Sequence, residues 1–343
     1  MIVNHQRFNK RSHHQSMLSI IIPVFNEREV LPLCLQRLTV ISKQLDATIE
    51  LVFIDDGSCD GSAEYLSKQS IPGVSLRVIR LSRNFGKEAA LTAGLDYAKG
   101  DAVVILDADL QDPPELIPEM LKQWNQGADV VLMQRSSRAG ENWFKRSSAH
   151  LFYRLLLRLS RSQIPIDTGD FRLMSRRAVE ALKKLPERNR FMKGLFAWVG
   201  MPTVVIKYDR EPRAAGTSKW DSLGLLQLAL EGITSFSTSP LRWAMGVGLL
   251  AALAGGTFGL WIAFKAAVLG DPVHGYPSLI SVITFIGGIQ LVAVGIVGEY
   301  VGKTYIESKQ RPHYLVQDET ETETDDVTQI NARNHVDYHA QTL

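Results

Sequence analysis

The stretch AVVILDADLQDPPE, residues 102–115, contains the three signals that decide the fold. Its first five residues form an apolar run of the kind found in buried strands. Two carboxylates follow directly, Asp107 and Asp109, with Ala108 between them. A pair of prolines then suits the opening of a helix, because proline is favoured in the first helical turn. The stretch therefore predicts a buried strand, an acidic loop and a helix, in that order.

The same order of strand, loop and helix repeats on both sides of this stretch. Between the apolar runs, hydrophobic residues recur at helical spacing, as they do at Leu31, Leu35 and Leu38. Such alternation is typical of a largely parallel sheet covered by helices, so the chain is predicted to have an α/β fold. Ligands of open sheets of this kind bind beyond the carboxyl ends of the strands. The other predicted strands are residues 18–22, 49–54, 76–81 and 129–133.

Acidic motifs follow three of these runs, at the ends where ligands bind. They are Pro-Val-Phe-Asn-Glu (23–27), Asp-Asp-Gly-Ser (55–58) and Asp107-Ala108-Asp109. Any one of them alone is more often a turn or a helix cap. Because three converge on one edge, we expect Asp109 and Gln111 to bind Mg²⁺ or Mn²⁺, which prefer oxygen ligands. A divalent metal at this edge would neutralise the charge of a diphosphate leaving group.

Composition and motif searches exclude several other functions. A formal net charge of +2 over 343 residues does not indicate a nucleic-acid-binding protein. Cys34 and Cys59 are the only cysteines and lack metal-site spacing, so a reducing compartment is expected. The chain has no Gly-x-x-x-x-Gly-Lys-Ser/Thr loop, and no Gly-x-Gly-x-x-Gly follows its first strand. Kinases and dehydrogenases are therefore disfavoured.

Two charge-free apolar segments follow the α/β region. Residues 243–264 and 278–298 are each long enough, at about 1.5 Å per residue, to cross a hydrocarbon core about 30 Å thick. A pair of buried core helices is the alternative. Lys265 is the only Lys or Arg between the segments, whereas several basic residues flank them on the outside. The positive-inside rule then places both flanks in the cytoplasm, and residues 1–16 lack the apolar part of a secretory signal.

Composition divides the chain into five expected segments. Apolar residues at helical spacing after Lys219 predict an amphipathic helix along the membrane surface, although a contact with a partner subunit would give the same pattern. The acidic, threonine-rich residues 317–326 have little to bury and are predicted to be a disordered end. Glycine pairs at 255–256 and 287–288 permit close packing within or between chains, which leaves a homo-oligomer open. The segments are a disordered N-terminus (1–16), a cytoplasmic α/β domain (17–218), an interfacial helix (219–240), a transmembrane hairpin (241–300) and a cytoplasmic tail (301–343).

The order of motifs along the chain resembles that of family 2 glycosyltransferases, which have the GT-A fold. Together with the membrane hairpin, it is similar to that of polyprenyl-phosphate glycosyltransferases, such as dolichyl-phosphate mannose synthases and bactoprenol glucosyltransferases of the GtrB type. The resemblance covers residues 18–316. The motifs that carry it are Pro-Val-Phe-Asn-Glu (23–27), Asp-Asp-Gly-Ser (55–58), Ser-Arg-Asn-Phe-Gly-Lys-Glu (82–88), Asp-Ala-Asp-Leu-Gln-Asp-Pro-Pro-Glu (107–115), Thr-Gly-Asp-Phe-Arg-Leu (168–173) and Arg-Ala-Ala-Gly-Thr-Ser-Lys (213–219).

The resemblance implies three sets of binding residues. The donor is expected to be a nucleotide sugar, and the acceptor a polyprenyl phosphate, an anion that needs cations near the membrane surface. From the residues alone, an ordinary core aromatic is the alternative for Phe25 and a solvated charge at a helix start is the alternative for Lys87. Arg138, Lys145 and Arg146 are weaker acceptor candidates, for which a topology signal is the alternative. The implied nucleotide-binding residues are Pro23, Phe25, Glu27, Ile54, Asp55, Asp56, Gly86, Lys87, Asp107 and Ala108, the metal ligands are Asp107, Asp109 and Gln111, and the acceptor-phosphate ligands are Arg135, Arg213 and Lys219.

The expected reaction is a single inverting displacement, in which an acceptor phosphate oxygen attacks the anomeric carbon while a nucleoside diphosphate departs. A phosphate monoester has a second pKa of about 6, so a strong base is not obligatory near neutrality. The expected catalytic residues are Asp109, through the metal, and Asp170. The resemblance places Asp170 beside the sugar, where it serves as a base or orients the sugar and acceptor.

The sequence leaves several identities open. UDP-glucose and undecaprenyl phosphate are the favoured pair, because a two-span hairpin is of the bacterial type; GDP-mannose or a modified UDP-pentose is the alternative donor. A processive polysaccharide synthase usually carries Gln-x-x-Arg-Trp, whereas residues 239–243 read Ser-Pro-Leu-Arg-Trp. A non-catalytic membrane scaffold is a third option, against which the acidic cluster argues. The expected location is the bacterial inner membrane.

Overall fold

The computed structural model describes residues 16–136, 168–188, 190, 192–211, 234, 238–269 and 275–322. The chain forms two compact units, one containing the α/β region and the residues after Arg311, the other containing the apolar C-terminal segment. Arg213 and Lys219 lie outside the described residues, as do residues 1–15 and nearly all of the predicted interfacial helix (219–240).

Eight strands form one sheet in the described part of the first unit. They are β1 (Met17–Val24), β2 (Thr48–Asp55), β3 (Val74–Leu81), β4 (Ala102–Ile105), β5 (Val130–Arg135), β6 (Thr168–Ser175), β7 (Thr203–Tyr208) and β8 (Val316–Thr322). Their order across the sheet is β7-β5-β6-β4-β1-β2-β3-β8. Pairs β1–β2, β1–β4, β2–β3 and β5–β7 are parallel, while β6 and β8 run antiparallel to their neighbours. The prediction of an α/β fold with a mostly parallel sheet is confirmed.

Helices cover this sheet because their buried side chains fall at helical spacing. In the first helix, Leu31, Leu35 and Leu38 are buried, and a proline occupies its first turn. The third helix lies so close to β1 that a Cβ on Gly94 would come within 2.2 Å of the Ile21 side chain. The described helices of this unit are α1 (Leu31–Ser42), α2 (Ser62–Leu66), α3 (Lys87–Tyr97), a short 3₁₀ turn (Pro114–Leu116), α4 (Ile117–Asn125), α5 (Arg176–Lys183) and α6 (Met192–Trp198).

Strand register brings the acidic motifs to one edge of the sheet. Val24 pairs with Asp55 at the ends of β1 and β2, so the loops that follow begin side by side. Ile21 pairs with Ile105 in β4, and the backbone N–H of Leu106 donates to the carbonyl of Ile21 at 2.9 Å. The convergence predicted from the apolar runs is therefore present.

The prediction that residues 317–326 form a disordered end is wrong for its described part. Residues up to Thr322 lie in β8, which pairs antiparallel with β3. The segment has few apolar side chains, but Glu319 accepts a 2.6 Å hydrogen bond from Arg77, a buried cation in β3 that Glu50 also contacts. Because the partner of Glu319 lies 242 residues away in the chain, no local pattern indicates the pairing.

The second unit contains two long apolar helices, α7 (Ser239–Leu269) and α8 (Tyr276–Ser308). Each is long and apolar enough to cross a membrane over residues Ser239–Trp261 and Phe285–Ser308, and neither span is buried within the structure. Their apolar side chains are exposed, as at Leu291, which is 75% accessible. Exposed apolar surface of this extent on two helices is typical of segments that contact lipid.

Candidate active site

The loops after β1 and β2 are joined by a short network of hydrogen bonds. Asn26 has a positive φ of 53°, which aims its backbone N–H at Oγ of Ser58, 2.9 Å away. In return, Oδ1 of Asn26 accepts from the backbone N–H of Cys59 at 2.9 Å. Neither Asn26 nor Ser58 stood out as a site residue in the sequence, although both lie inside the quoted motifs. The network holds the Pro23 to Glu27 loop against the Asp55 to Ser58 turn.

Asp56 organises the loop before α3. Its two carboxylate oxygens accept the backbone N–H groups of Phe85 at 2.7 Å and Gly86 at 2.9 Å. Burial raises the pKa of Asp56 above its ordinary value, while these two hydrogen bonds oppose the rise. Asp56 therefore fixes the position of Gly86, and with it the start of the helix that carries Lys87.

Gly57 allows two loops to approach each other closely. Its φ is +71°, and a Cβ there would lie 2.5 Å from the carbonyl carbon of Arg83 and 2.7 Å from the nitrogen of Asn84. Only glycine fits this combination of backbone conformation and contact. Beside it, Asp55 is fully buried at the end of β2 and accepts the backbone N–H of Ser58 at 3.2 Å. Burial raises the pKa of Asp55.

Lys87 links two carboxylates that are far apart in the sequence. Its Nζ lies 2.7 Å from Oδ1 of Asp107 and 2.7 Å from Oδ2 of Asp170. Desolvation disfavours the charged form of Lys87, but the two carboxylates outweigh it and raise the pKa of the ammonium. Burial pushes the pKa of Asp170 upward, yet Lys87 and Lys193 reverse the effect and hold it below the usual range. Lys87 is therefore not only a solvated charge: 44% of its side chain is exposed, but its ammonium contacts two carboxylates.

The loop after β4 presents the oxygen-rich side chains predicted to bind metal. Asp109 is 8% exposed, and its Oδ1 accepts the backbone N–H of Gln111 at 3.2 Å. Leu110 has a positive φ of 57°, so the chain turns sharply between them. Among the described residues, no group of three or more His, Cys, Asp or Glu is placed to hold a metal ion. Two carboxylates and an amide nevertheless fit Mg²⁺, which usually takes only one or two protein carboxylates and completes its shell with phosphate and water.

Two charged residues near Asp170, buried Arg172 and half-buried Glu88, were missed by the sequence patterns. Arg172 is 4% exposed, donates to the Gly169 carbonyl at 2.7 Å and lies over the Phe196 ring. Burial lowers its pKa to about 10, against the opposing effect of Asp170. Glu88 accepts the backbone N–H of Met192 at 3.1 Å, and burial, followed by Asp170, raises its pKa to about 7. Glu88 lies within the quoted motif 82–88 and Arg172 within the motif 168–173. Their place in these motifs is the signal that could have identified them as site residues.

Another buried carboxylate, Asp112, lies at the ends of β5 and β7. It is 1% exposed, and its Oδ1 accepts the hydroxyl of Tyr208 and lies 3.7 Å from Nε of Arg210. A Cβ on Gly169 would be 3.4 Å from Nη2 of Arg135 and 3.9 Å from Oδ2 of Asp112. Arg135 therefore faces the same cluster. This arrangement was not anticipated for Asp112, Tyr208 or Arg210.

The chain beyond β7 is fastened to the acidic loop. The backbone N–H of Glu211 donates to the carbonyl of Gln111 at 2.9 Å. Arg37 on α1 donates to Glu115 at 2.8 Å through Nε and to Glu211 at 2.8 Å through Nη1. These contacts fix the point from which the chain continues towards Arg213.

Comparison with known proteins gives the family. Residues 19–183 match Glycosyl transferase family 2, and residues 239–304 match the GtrB C-terminal hairpin. Bactoprenol glucosyl transferase of Shigella phage SfV is 46% identical over 302 residues, which cover 88% of this chain and 98% of that protein. The chain belongs to glycosyltransferase family 2.

Other relatives of this family 2 glycosyltransferase are similar over the same extent. The prophage bactoprenol glucosyl transferase homolog of Escherichia coli K12 is 44% identical, covering 87% of this chain and 98% of its own. Among solved structures, glucosyl-3-phosphoglycerate synthase from Mycobacterium tuberculosis aligns with a TM-score of 0.45 at 20% identity, covering 64% of this chain and 78% of that one.

The structure describes most of the site residues that the sequence singled out, and the loops at one edge of the sheet carry them. Pro23 pairs with Ile54 in adjacent strands, Phe25 is half-buried, and the Glu27 carbonyl accepts the N–H of Val30 at the start of α1. Ala108 is buried between the two aspartates. The structure brings Lys87, Asp107 and Asp170 together, whereas it places Asp56 with backbone donors instead. Arg213 and Lys219 are outside the described residues.

Proposed function

We propose that the protein is a membrane-associated enzyme that transfers glucose from UDP-glucose to polyprenyl phosphate. The observation that carries the proposal is the 46% identity to bactoprenol glucosyl transferases over nearly their whole length. The hairpin match and the two exposed apolar helices support a lipid acceptor. The acidic loops at one sheet edge support a nucleotide-sugar donor.

The donor would bind across the loops after β1, β2 and β4. Half-buried Phe25 offers an apolar face for the base, with Glu27 on the same loop for the ribose. Buried Asp56 keeps the loop at Gly86 in place and thereby aims Lys87 into the site. The full donor set comprises Pro23, Phe25, Glu27, Ile54, Asp55, Asp56, Gly86, Lys87, Asp107 and Ala108.

Asp107, Asp109 and Gln111 would hold Mg²⁺ or Mn²⁺. When bound, the metal neutralises charge on the departing diphosphate. Lys87 donates to both Asp107 and Asp170, and it is positioned to keep the two carboxylates close despite their like charge. We assign Asp109 to metal binding and Asp170 to orienting the sugar and the acceptor.

The acceptor phosphate would bind Arg135, Arg213 and Lys219. Arg135 ends β5, on the same side of Gly169 as Asp112.

We further propose that the catalytic domain and both termini face the cytoplasm of a bacterial inner membrane, since most flanking Lys and Arg lie outside the hairpin. Impermeant thiol labelling of Gly275→Cys, in a Cys59→Ser background, from the outer face alone is the matching topology test.

The reaction would be one displacement. A phosphate oxygen of the acceptor forms a bond to the anomeric carbon as the bond from that carbon to the UDP oxygen breaks, and the configuration inverts. The phosphate is largely ionised near neutrality, with a second pKa of about 6, so no proton has to leave in this step. Asp170, held ionised by Lys87, is a weak proton acceptor and a suitable group for hydrogen bonding to sugar hydroxyls.

The direct test offers the full-length protein labelled UDP-glucose, GDP-mannose or a UDP-pentose together with undecaprenyl phosphate and Mg²⁺. We expect a chloroform-soluble product carrying one glucose. A product from GDP-mannose alone would contradict the donor assignment, and a polymer would indicate a processive synthase. No lipid-linked product from any donor would contradict the proposed function itself.

A further inference from the structure

The Asp112 cluster consists of Asp112, Tyr208, Arg210 and Arg135, of which only Arg135 belongs to the proposed acceptor site. Asp112 is close enough to Asp107 for their charges to repel, and Gly169 adjoins Asp170. The cluster therefore borders the part of the proposed site where the glucosyl group passes from the donor to the acceptor.

A carboxylate buried to 1% exposure needs cations and hydrogen-bond donors around it. Asp112 has the Tyr208 hydroxyl and Nε of Arg210 on one oxygen, with Arg135 approaching on the side of Gly169. Two guanidinium groups thus face Asp112, which offsets only one of their two positive charges. A small anion is the ligand that such a cluster attracts.

Arg210 is placed to use that excess charge. Its side chain keeps 28% of its surface exposed, whereas Asp112 is closed off from solvent. Arg210 also lies between Tyr208, at the end of β7, and Glu211, whose N–H is bonded to Gln111. Its backbone is therefore fixed at both ends, and only the orientation of the guanidinium has to be set.

We propose that Arg210 binds the acceptor phosphate together with Arg135, and that Asp112 is the positioning residue that orients Arg210. The inference rests on the proposed function and deepens its acceptor side. Asp112 acts through Arg210 and does not touch the substrates. A fixed planar guanidinium loses less freedom on binding an oxyanion than a mobile one, which is the benefit of the ion pair.

The test measures initial rates of the full-length protein while polyprenyl phosphate or UDP-glucose is varied separately. Arg210→Gln should raise the KM for polyprenyl phosphate about tenfold, the effect of losing one charged hydrogen bond, and leave that for UDP-glucose unchanged. Asp112→Asn, which still accepts the Tyr208 hydroxyl, should raise the same KM. The double variant should be no worse than the more affected single variant, because both changes remove one interaction.

Lys207→Gln is the matched control. It removes a positive charge from β7, the strand that leads to Arg210, but from the exposed side opposite to Tyr208, so both KM values should match the wild type. The inference is overturned if Arg210→Gln leaves the lipid KM unchanged, if both KM values rise together, or if the two single effects multiply in the double variant. If Asp112→Asn does not fold, the KM values of Arg210→Gln decide alone. Failure of the wild type to glucosylate the lipid would instead refute the proposed function.

Discussion

The ion pair of Lys87 with Asp170 sets how the site responds to pH. Because Lys87 and Lys193 hold the pKa of Asp170 below its usual range, its carboxylate stays ionised at any pH where the protein is assayed. The acceptor phosphate, with a second pKa of about 6, should then control the acid limb of the rate profile. Asp170→Asn should lower turnover about tenfold or more and leave the acid limb in place. Measuring kcat from pH 5 to 8 tests this expectation. If the acid limb of the profile disappeared in Asp170→Asn, Asp170 would be the general base after all.

Glu88 makes the stability of the fold decrease as pH rises. Burial raises its pKa to about 7 from a usual 4.5, so its contribution to folding is full below the usual value and is lost as pH rises through 7. Glu88→Gln still offers an oxygen to the Met192 N–H but cannot ionise. Thermal unfolding should show the variant gaining stability relative to the wild type between pH 5 and 8. A stability difference between Glu88→Gln and the wild type that does not change with pH would contradict the burial argument.

Individual site residues could be predicted from the sequence where a local motif identifies them. Asp107 and Asp109 stood out because they follow an apolar run, which is a local pattern. The contact of Lys87 with Asp170 spans 83 residues of sequence, and only the fold brings it about. The same applies to Asp112, whose partner Tyr208 is 96 residues away.

At the scale of elements, the turn after β2 fixes the spacing of the site loops. Gly57→Ala should cost about 3 kcal/mol, since a left-handed backbone and a clash with Arg83 act together. Gly61→Ala is the matched control: its φ is also positive, at 84°, but no atom lies within 4 Å of its Cβ position. That variant should cost only about 1 kcal/mol. Equal losses in denaturant unfolding of the two variants would show that crowding at Gly57 is unimportant.

Strand β8 is held by charge more than by apolar contact. Glu319→Gln should destabilise the protein by about 1 kcal/mol, because it leaves the buried Arg77 with one fewer anionic partner. Glu321→Gln should cost less, about 0.5 kcal/mol or below, since its contacts with Arg77 and Lys99 are both 3.7 Å. Unfolding measurements at low and high salt test the ranking, and an equal or reversed order would contradict it.

The strands of the parallel core were predictable because their apolar runs are continuous and buried on both faces. Strand β8 was not, since VQDETET resembles a solvated tail until Arg77 is placed beside it. Composition alone therefore identified the strands that are buried by apolar contacts. It missed β8, which is held by ion pairs to residues distant in the sequence.

At the scale of the whole molecule, the family 2 domain suits a water-soluble donor, and the apolar hairpin suits an acceptor dissolved in lipid. In the proposed function, the acidic edge of the sheet transfers glucose to polyprenyl phosphate. The most direct measurement follows labelled glucose from UDP-glucose into undecaprenyl phosphate for the wild type and for Asp109→Ala, each shown to be folded by thermal unfolding. We expect a lipid-linked monosaccharide from the wild type, lost on chelation of divalent metal and reduced at least about a hundredfold in the variant. Full activity of Asp109→Ala, or of the wild type with chelator present, would contradict it.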